Sequence, residues 1–301
     1  MTEIKCLDLY SAANLLPERD VFSNKGTFGK ALIIGGSRNM VGCCVLACEG
    51  ALRSGVGIAC VAFPDCLYQA LTSRLTENLF MPLATDEQGM ISKESIDYLL
   101  ESSRSYQSVL IGCGMGVSDN TKALVKRFVE ECEAPLILDA DALNCLCSFK
   151  DSLHKRGGNI LLTPHPGEMS RLCECSVQDV QANREQTVRK FVEDYNVNLL
   201  LKGHHTLICN NSCSELYVNK TGNTGLSKGG SGDLLSGVIA GLCATMKGDL
   251  FNSAALGAFV HGLSADLLKT EFSEISMLPS DCAKGLNRAF MMLEECVSEV
   301  F

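Results

Sequence analysis

Six short apolar runs, at residues 31–34, 57–63, 109–112, 135–138, 159–162 and 197–201, alternate with stretches of helical spacing, and this alternation narrows the possible folds most. The first run ends in Gly35-Gly36-Ser37 and leads into a helical pattern over 41–53. The second leads to a helix over 64–75 opened by a proline. The third ends in the loop 112–116 (GCGMG) before a helix over 119–132, and the fourth carries Asp139 and Asp141 at its end. The fifth runs into residues 163–168 (TPHPGE), where two prolines stiffen the loop around His165 and Gly167 permits a turn into the helix bearing Glu168. A polar helix over 177–195 precedes the sixth, at whose end stand Lys202, Gly203, His204, His205 and Thr206. Strands alternating with helices specify an α/β fold, a mostly parallel sheet covered on both faces, with ligands beyond the carboxyl ends of the strands. Two further strands, 206–209 and 215–218 with a turn at 210–212, and three helices, 232–246, 252–269 and 280–298, complete the chain. With no linker, low-complexity tract or internal repeat, residues 1–301 read as a single domain.

The densest local signal lies at residues 219–242, NKTGNTGLSKGGSGDLLSGVIAGL. Its glycines let the backbone approach a ligand closely. A helix starting near Ser231 aims unpaired amides, and the positive end of its dipole, back at that loop, which makes a place for a phosphate or a developing oxyanion. Asp233 stands in the first turn. Either it only favours the dipole, or it serves as a general base on a hydroxyl beside bound phosphate; the surplus of glycines points to the second.

Several partners and compartments are excluded or favoured by composition. The balance of 26 basic against 35 acidic residues, a net charge of −9 without a Lys/Arg block, excludes nucleic acid as an expected partner. The most apolar regions, 41–63 and 251–268, are interrupted by Glu49 and Arg53 and by His261 and Asp266, so no simple membrane span is expected. The N-terminal residues lack a signal-peptide pattern, and the 17 cysteines lack C-x-x-C spacing; they read as small, reduced, buried hydrophobes of a cytoplasmic protein.

Other motifs carry two readings each. The glycines at 112, 114 and 116 miss the dinucleotide fingerprint in spacing and position, which leaves a pocket wall or a plain turn. His165, fixed by its flanking prolines, is a candidate ligand contact. His204 and His205 are either site residues or a strand's surface, and Lys202 either meets a phosphate or is a solvated lysine. There is no Walker motif and no all-protein metal cage.

Taken in order, residues 25–30 (KGTFGK), 35–37 (GGS), 51–55 (ALRSG), 112–116 (GCGMG), 138–144 (LDADALN), 163–168 (TPHPGE), 201–203 (LKG) and 229–233 (GGSGD) make a set that resembles the NAD(P)H-hydrate dehydratase family. The resemblance spans nearly the whole chain. It implies a ribokinase-like three-layer α/β/α fold, and an enzyme, a carbon-oxygen lyase, that repairs the S forms of hydrated NADH and NADPH (NADHX and NADPHX). In that reaction a nucleotide phosphorylates the ring hydroxyl, and phosphate then leaves. By resemblance Asp233 deprotonates the hydroxyl, and the amides of Gly230, Ser231 and Gly232 stabilise the transferring phosphoryl group. Cys43, Gly114 and His165, with Asp233, line the site for the hydrated cofactor. Lys202, Gly203, His204, His205, Thr206 and Gly232 hold the nucleotide, and Mg²⁺ accompanies it. The pattern is similar to the bacterial branch, which implies ADP as donor. Cys43 stands where the family commonly has alanine, and His204 departs from the usual alanine after Lys202-Gly203. The resemblance also implies a homotetramer that works alone or with a separate epimerase, since the short stretch before the first motif leaves no room for a fused one. A vitamin-precursor kinase of the same superfamily and a non-catalytic nucleotide sensor are the other readings; the loop at 163–168 and the motif at 25–30 favour the dehydratase, and Asp233 disfavours the sensor.

Overall fold

The computed structural model describes residues 3–298. Their strands join in one ten-stranded sheet: β1 Ile4–Leu7, β2 Lys30–Ile34, β3 Ile58–Pro64, β4 Leu79–Leu83, β5 Ser108–Ile111, β6 Leu136–Leu138, β7 Ile160–Leu162, β8 Asn198–Leu201, β9 Thr206–Cys209 and β10 Leu216–Asn219. The order across the sheet is β1-β10-β9-β8-β7-β6-β5-β2-β3-β4, and only β9 runs against its neighbours. The helices are α1 Leu9–Ala13, α2 Gly42–Arg53, α3 Tyr68–Thr72, α4 Ile96–Ser103, α5 Asp119–Glu131, α6 Asp141–Leu146, α7 Pro166–Cys173, α8 Val177–Ala182, α9 Arg184–Tyr195, α10 Ser231–Thr245, α11 Leu250–Leu268 and α12 Pro279–Ser298. No helix among the described residues is long and apolar enough to cross a membrane.

The three layers follow from the two-residue period of the strands. Ala31, Ile33, Leu110, Ile137, Leu161 and Leu200 face one core, built with α2, α10, α11 and α12. Their neighbours Leu32, Ile34, Val109, Ile111, Leu136 and Leu162 face the other, beneath α4, α5, α7 and α9. Nine of the cysteines are buried, packing as small hydrophobes. The first core is unusually tight between α2 and α10. A Cβ on Gly237 would lie 2.1 Å from the Ala47 carbonyl oxygen, so only glycine admits this approach.

Several elements differ from expectation. Pro64 ends β3, and a 3-10 turn at Asp65–Leu67 precedes the short α3, so the helix over 64–75 is not continuous. The expected helix over 177–195 breaks at Asn183 (φ −131°, ψ 41°) into α8 and α9. The break brings the Arg184 guanidinium to the carbonyls of Leu201, Lys202 and His205, at 3.1, 3.3 and 3.4 Å. α7 begins at Pro166 rather than after a glycine turn. β4 carries Pro82, which hides it in the sequence and is tolerated because β4 is an edge strand. β1, α1 and α4 were also unforeseen.

The chain lays β3 and β4 to one side of β2, then places β5 on the other. A crevice opens where such a reversal occurs. There the Gly36 amide donates to the Cys113 carbonyl at 2.8 Å, and Ser37 Oγ to the Gly114 carbonyl at 2.9 Å.

Candidate active site

The carboxyl ends of β6 to β8 and the amino end of α10 meet in one place, around a cavity of about 880 Å³, with Cys113 after β5 close beside it. α10 starts after Gly230, whose φ of +100° suits glycine and turns the loop into the helix. The Ser231 amide donates back to the Lys228 carbonyl at 3.3 Å, so of the three amides expected to face a phosphoryl group this one is engaged. Among the described residues the Gly230 and Gly232 amides have no backbone or side-chain acceptor, and both residues line the cavity at the positive end of the α10 dipole.

Asp233 shares this mouth with Cys113 and Asp139; their possible ligand atoms lie within 4.8 Å of one another. Burial, then the neighbouring Asp139, pushes the Asp233 carboxyl up to about 6. At neutral pH it is still ionised, but it is a much better proton acceptor than a surface aspartate.

Asp139, buried at 1% exposure, ends β6 and accepts from Lys202 Nζ at 2.7 Å and Thr163 Oγ1 at 2.9 Å. The next residue, Ala140, has φ +50°, a strained value for a residue with a Cβ. That twist sends Asp141 the other way, to accept from the Gly116 amide at 2.9 Å. Lys202 also faces Glu168 at 3.8 Å. Burial works against its ammonium, but Asp139 and Glu168 outweigh that and hold its pKa above the ordinary value. Lys202 is therefore an ion-paired lysine rather than a solvated one, and a Cβ on Gly232 would lie 3.3 Å from its Nζ.

His165 is the N-cap of α7. Its Nδ1 accepts from the amides of Gly167 and Glu168 at 2.9 and 3.3 Å, while the Glu168 carboxylate accepts from the His165 amide at 2.8 Å. Burial, then Lys202 and Arg171, lower the His165 pKa, so the ring is neutral, with Nδ1 as acceptor and the proton on Nε2. Burial raises the Glu168 carboxyl to about 7.

Cys43 opens α2 and donates through Sγ to the carbonyls of Met40 and Cys113, at 3.0 and 3.2 Å, which places it against Gly114. The Cys44 thiol, then burial, raises its pKa, so Cys43 is no thiolate nucleophile. Gly203, His204, His205 and Thr206 line the cavity's other flank, the two histidine rings stacked at 3.9 Å and Arg184 bracing the loop from behind.

Of the expected residues, His165, Lys202 to Thr206 and Gly230 to Asp233 line this cavity, whereas Cys43 and Gly114 stand outside its lining, and Cys43 lies close enough to Asp233 to feel its charge. Asp139, Glu168 and Cys113 belong to the same cluster without having been expected there. The signal for Asp139 was its position at a strand end, yet only the sheet order, with β6 two strands from β8, brings Lys202 to it.

A family model described as NAD(P)H-hydrate dehydratase matches residues 31–288. The chain is 35% identical over 286 residues to the bifunctional NAD(P)H-hydrate repair enzyme of Moorella thermoacetica, a match covering 95% of this chain and 53% of that protein. It is 32% identical over 279 residues to the ADP-dependent (S)-NAD(P)H-hydrate dehydratase of Bacillus subtilis, covering 93% of this chain and 95% of that one. It thus spans about half the length of the bifunctional relatives. The crystal structure of the ADP/ATP-dependent NAD(P)H-hydrate dehydratase of Bacillus subtilis, co-crystallised with ATP and Mg²⁺, superposes with a TM-score of 0.80 at 26% identity, over 97% of this chain and 100% of that one.

Proposed function

The chain belongs to the NAD(P)H-hydrate dehydratase family, and from that premise we propose that it converts the S forms of hydrated NADH and NADPH back to NADH and NADPH, with ADP as phosphoryl donor. The observation that carries the reading is Asp233, a half-buried carboxylate with its pKa raised to about 6, standing in the cavity wall beside the unengaged amides at the start of α10.

The phosphoryl-transfer step has residues suited to it. Asp233 takes the proton of the hydroxyl on carbon 6 of the reduced nicotinamide ring, and the oxygen forms a bond to the β-phosphorus of ADP as AMP leaves. The Gly230 and Gly232 amides face the charge that spreads over the phosphoryl oxygens. Hydroxide is a poor leaving group and phosphate a good one. The ring nitrogen's lone pair then pushes phosphate off carbon 6, and transfer of a carbon-5 proton to the departing phosphate restores the ring double bond. Cys43, Gly114 and His165 hold the hydrated ring, and Lys202 to Thr206 the nucleotide. Lys202 pairs with Asp139 and faces Glu168, whereas Asp233 has no ion-pair partner among the described residues and is the carboxylate left to act as base.

Mg²⁺ is part of the proposal. Among the described residues, the cluster of Cys113, Asp139 and Asp233 offers a thiol and two carboxylates. The thiol is too soft a donor for Mg²⁺, but the two carboxylates fit an ion that keeps several waters and arrives with nucleotide phosphates. When bound, the ion neutralises phosphate charge. A homotetramer and cooperation with an epimerase rest on the family resemblance, and a cytoplasmic location on the reduced cysteines and the N-terminal sequence.

The test is the return of the dihydronicotinamide absorbance when the protein is mixed with hydrated NADH or NADPH, Mg²⁺ and ADP. AMP and phosphate should appear in equal amounts. A folded, nucleotide-binding protein that restores no absorbance with either ADP or ATP refutes the reading.

A further inference from the structure

Two buried polar atoms on residues lining the cavity lack any protein partner: Ser231 Oγ and His261 Nε2. Their residues are 7% and 6% exposed. Leaving such an atom unpaired costs about 1–3 kcal/mol, a cost that a bound ligand removes. The Ser231 hydroxyl lies at the α10 mouth, where phosphoryl chemistry already accounts for it. The His261 ring lies elsewhere, in the middle of α11, and the mechanism above gives it no task.

The wall around His261 is rigid. Asn219 Nδ2 donates to the Ala258 carbonyl at 3.0 Å and Thr221 Oγ1 to the Phe259 carbonyl at 3.0 Å. Two turns further on, Asp266 accepts from the Gly222 amide at 2.7 Å and from Asn223 Nδ2 at 3.1 Å. Loop 219–223 is thus pinned to α11 on both sides of His261, and these residues line the cavity together with the Lys202–Thr206 flank. The chemistry of the ring narrows the ligand. Burial and the nearby Lys202 lower its pKa to about 4, so it is neutral, with one donor and one acceptor nitrogen. Only one ring nitrogen, Nε2, is without a partner, and being neutral it offers no charge; a phosphate is better met by the cation and amides at the α10 mouth, whereas a nucleobase edge or a ribose hydroxyl supplies a neutral partner whichever way that nitrogen bonds.

We propose that His261 is a positioning residue that hydrogen-bonds the nucleoside part, base or ribose, of the nucleotide co-substrate. The inference rests on the nucleotide reading of the cavity. It assigns the α11 wall to the nucleoside and leaves the phosphates to α10 and Lys202.

Calorimetric titrations of AMP, ribose 5-phosphate and pyrophosphate into the wild type, His261→Phe and His261→Gln test it. His261→Phe keeps the ring's bulk and removes its hydrogen bonds; it should weaken AMP at least about tenfold and leave pyrophosphate within twofold. His261→Gln, which restores a donor and an acceptor, should recover part of the loss. An equal loss for ribose 5-phosphate assigns the contact to the sugar, and a loss confined to AMP assigns it to the base. In turnover, KM for ADP should rise while KM for the hydrated cofactor stays put. Unchanged AMP binding in a folded His261→Phe protein overturns the inference, as does an equal loss of AMP and pyrophosphate. Should the variants fail to fold, the ¹⁵N resonances of His261 in the wild type decide, because saturating AMP must shift a ring nitrogen and an unmoved ring refutes the contact. If the wild type binds no AMP, the nucleotide reading itself falls; AMP binding that is indifferent to His261 sinks only this inference.

Discussion

Replacing Asp233 by asparagine should make the protein more stable and nearly inactive. The Asp233 carboxyl is raised from 3.8 to about 6, chiefly by burial and then by Asp139. A shift of about two units corresponds to roughly 3 kcal/mol at about 1.4 kcal/mol per unit. The sign follows from the direction: the folded state binds this proton more tightly than the unfolded one, so ionising Asp233 costs stability. The cost is absent below pH 3.8, grows between 3.8 and about 6, and is full at neutral pH. Asparagine carries no charge to desolvate and removes the repulsion from Asp139. Its gain at pH 7.5 should be about 1–3 kcal/mol, part of the ceiling being lost to imperfect hydrogen bonding of the amide. The melting temperature should rise by about 2–4 °C per kcal/mol, and the advantage should vanish near pH 4. Turnover should fall by about 10²–10⁴, the usual share of a positioned base. Unfolding of both proteins at pH 7.5 and pH 4, beside the absorbance assay, gives the answer. A variant less stable at pH 7.5, or an advantage indifferent to pH, refutes the electrostatic argument; full turnover refutes the role of Asp233 as base.

Other substitutions probe other parts of the site and scaffold. Lys202→Met leaves Asp139 buried without its cation, so stability should drop by about 3–5 kcal/mol; the acid limb of the rate profile should also move to higher pH, because Lys202 now lowers the Asp233 pKa. His165→Ala removes the α7 cap and should cost about 0.5–2 kcal/mol, whereas His165→Asn should keep the cap and lose activity alone; equal turnover in the asparagine variant would deny His165 any ligand contact. Gly237→Ala drives a methyl against the Ala47 carbonyl, and thermal melting should show a loss of about 1–3 kcal/mol. An unchanged melting temperature would mean that α2 and α10 do not pack so closely.

What the sequence determined by itself is what local chemistry encodes. Short continuous apolar runs set the strands, helical spacing set most helices, and their alternation set the parallel sheet; β2, β5 and β9 lie within a residue or so of where the runs placed them. The glycine loop and the start of α10 were legible for the same reason, since backbone freedom and the amides of a helix start belong to a short stretch of chain. β4, with its proline, and the break at Asn183 were not, because an edge position and a docking partner for Arg184 are facts about neighbours distant in sequence. The electrostatics of the site belong wholly to the tertiary structure. Asp139 and Lys202 stand 63 residues apart and become an ion pair only because β6 and β8 flank β7. Asp233 becomes a stronger base, and His261 an unpaired buried ring, only once packing removes water from around them. Periodicity is a property of neighbouring residues; burial and the field of other charges are properties of the assembled fold, and they give the glycine loop its charged, half-buried surroundings.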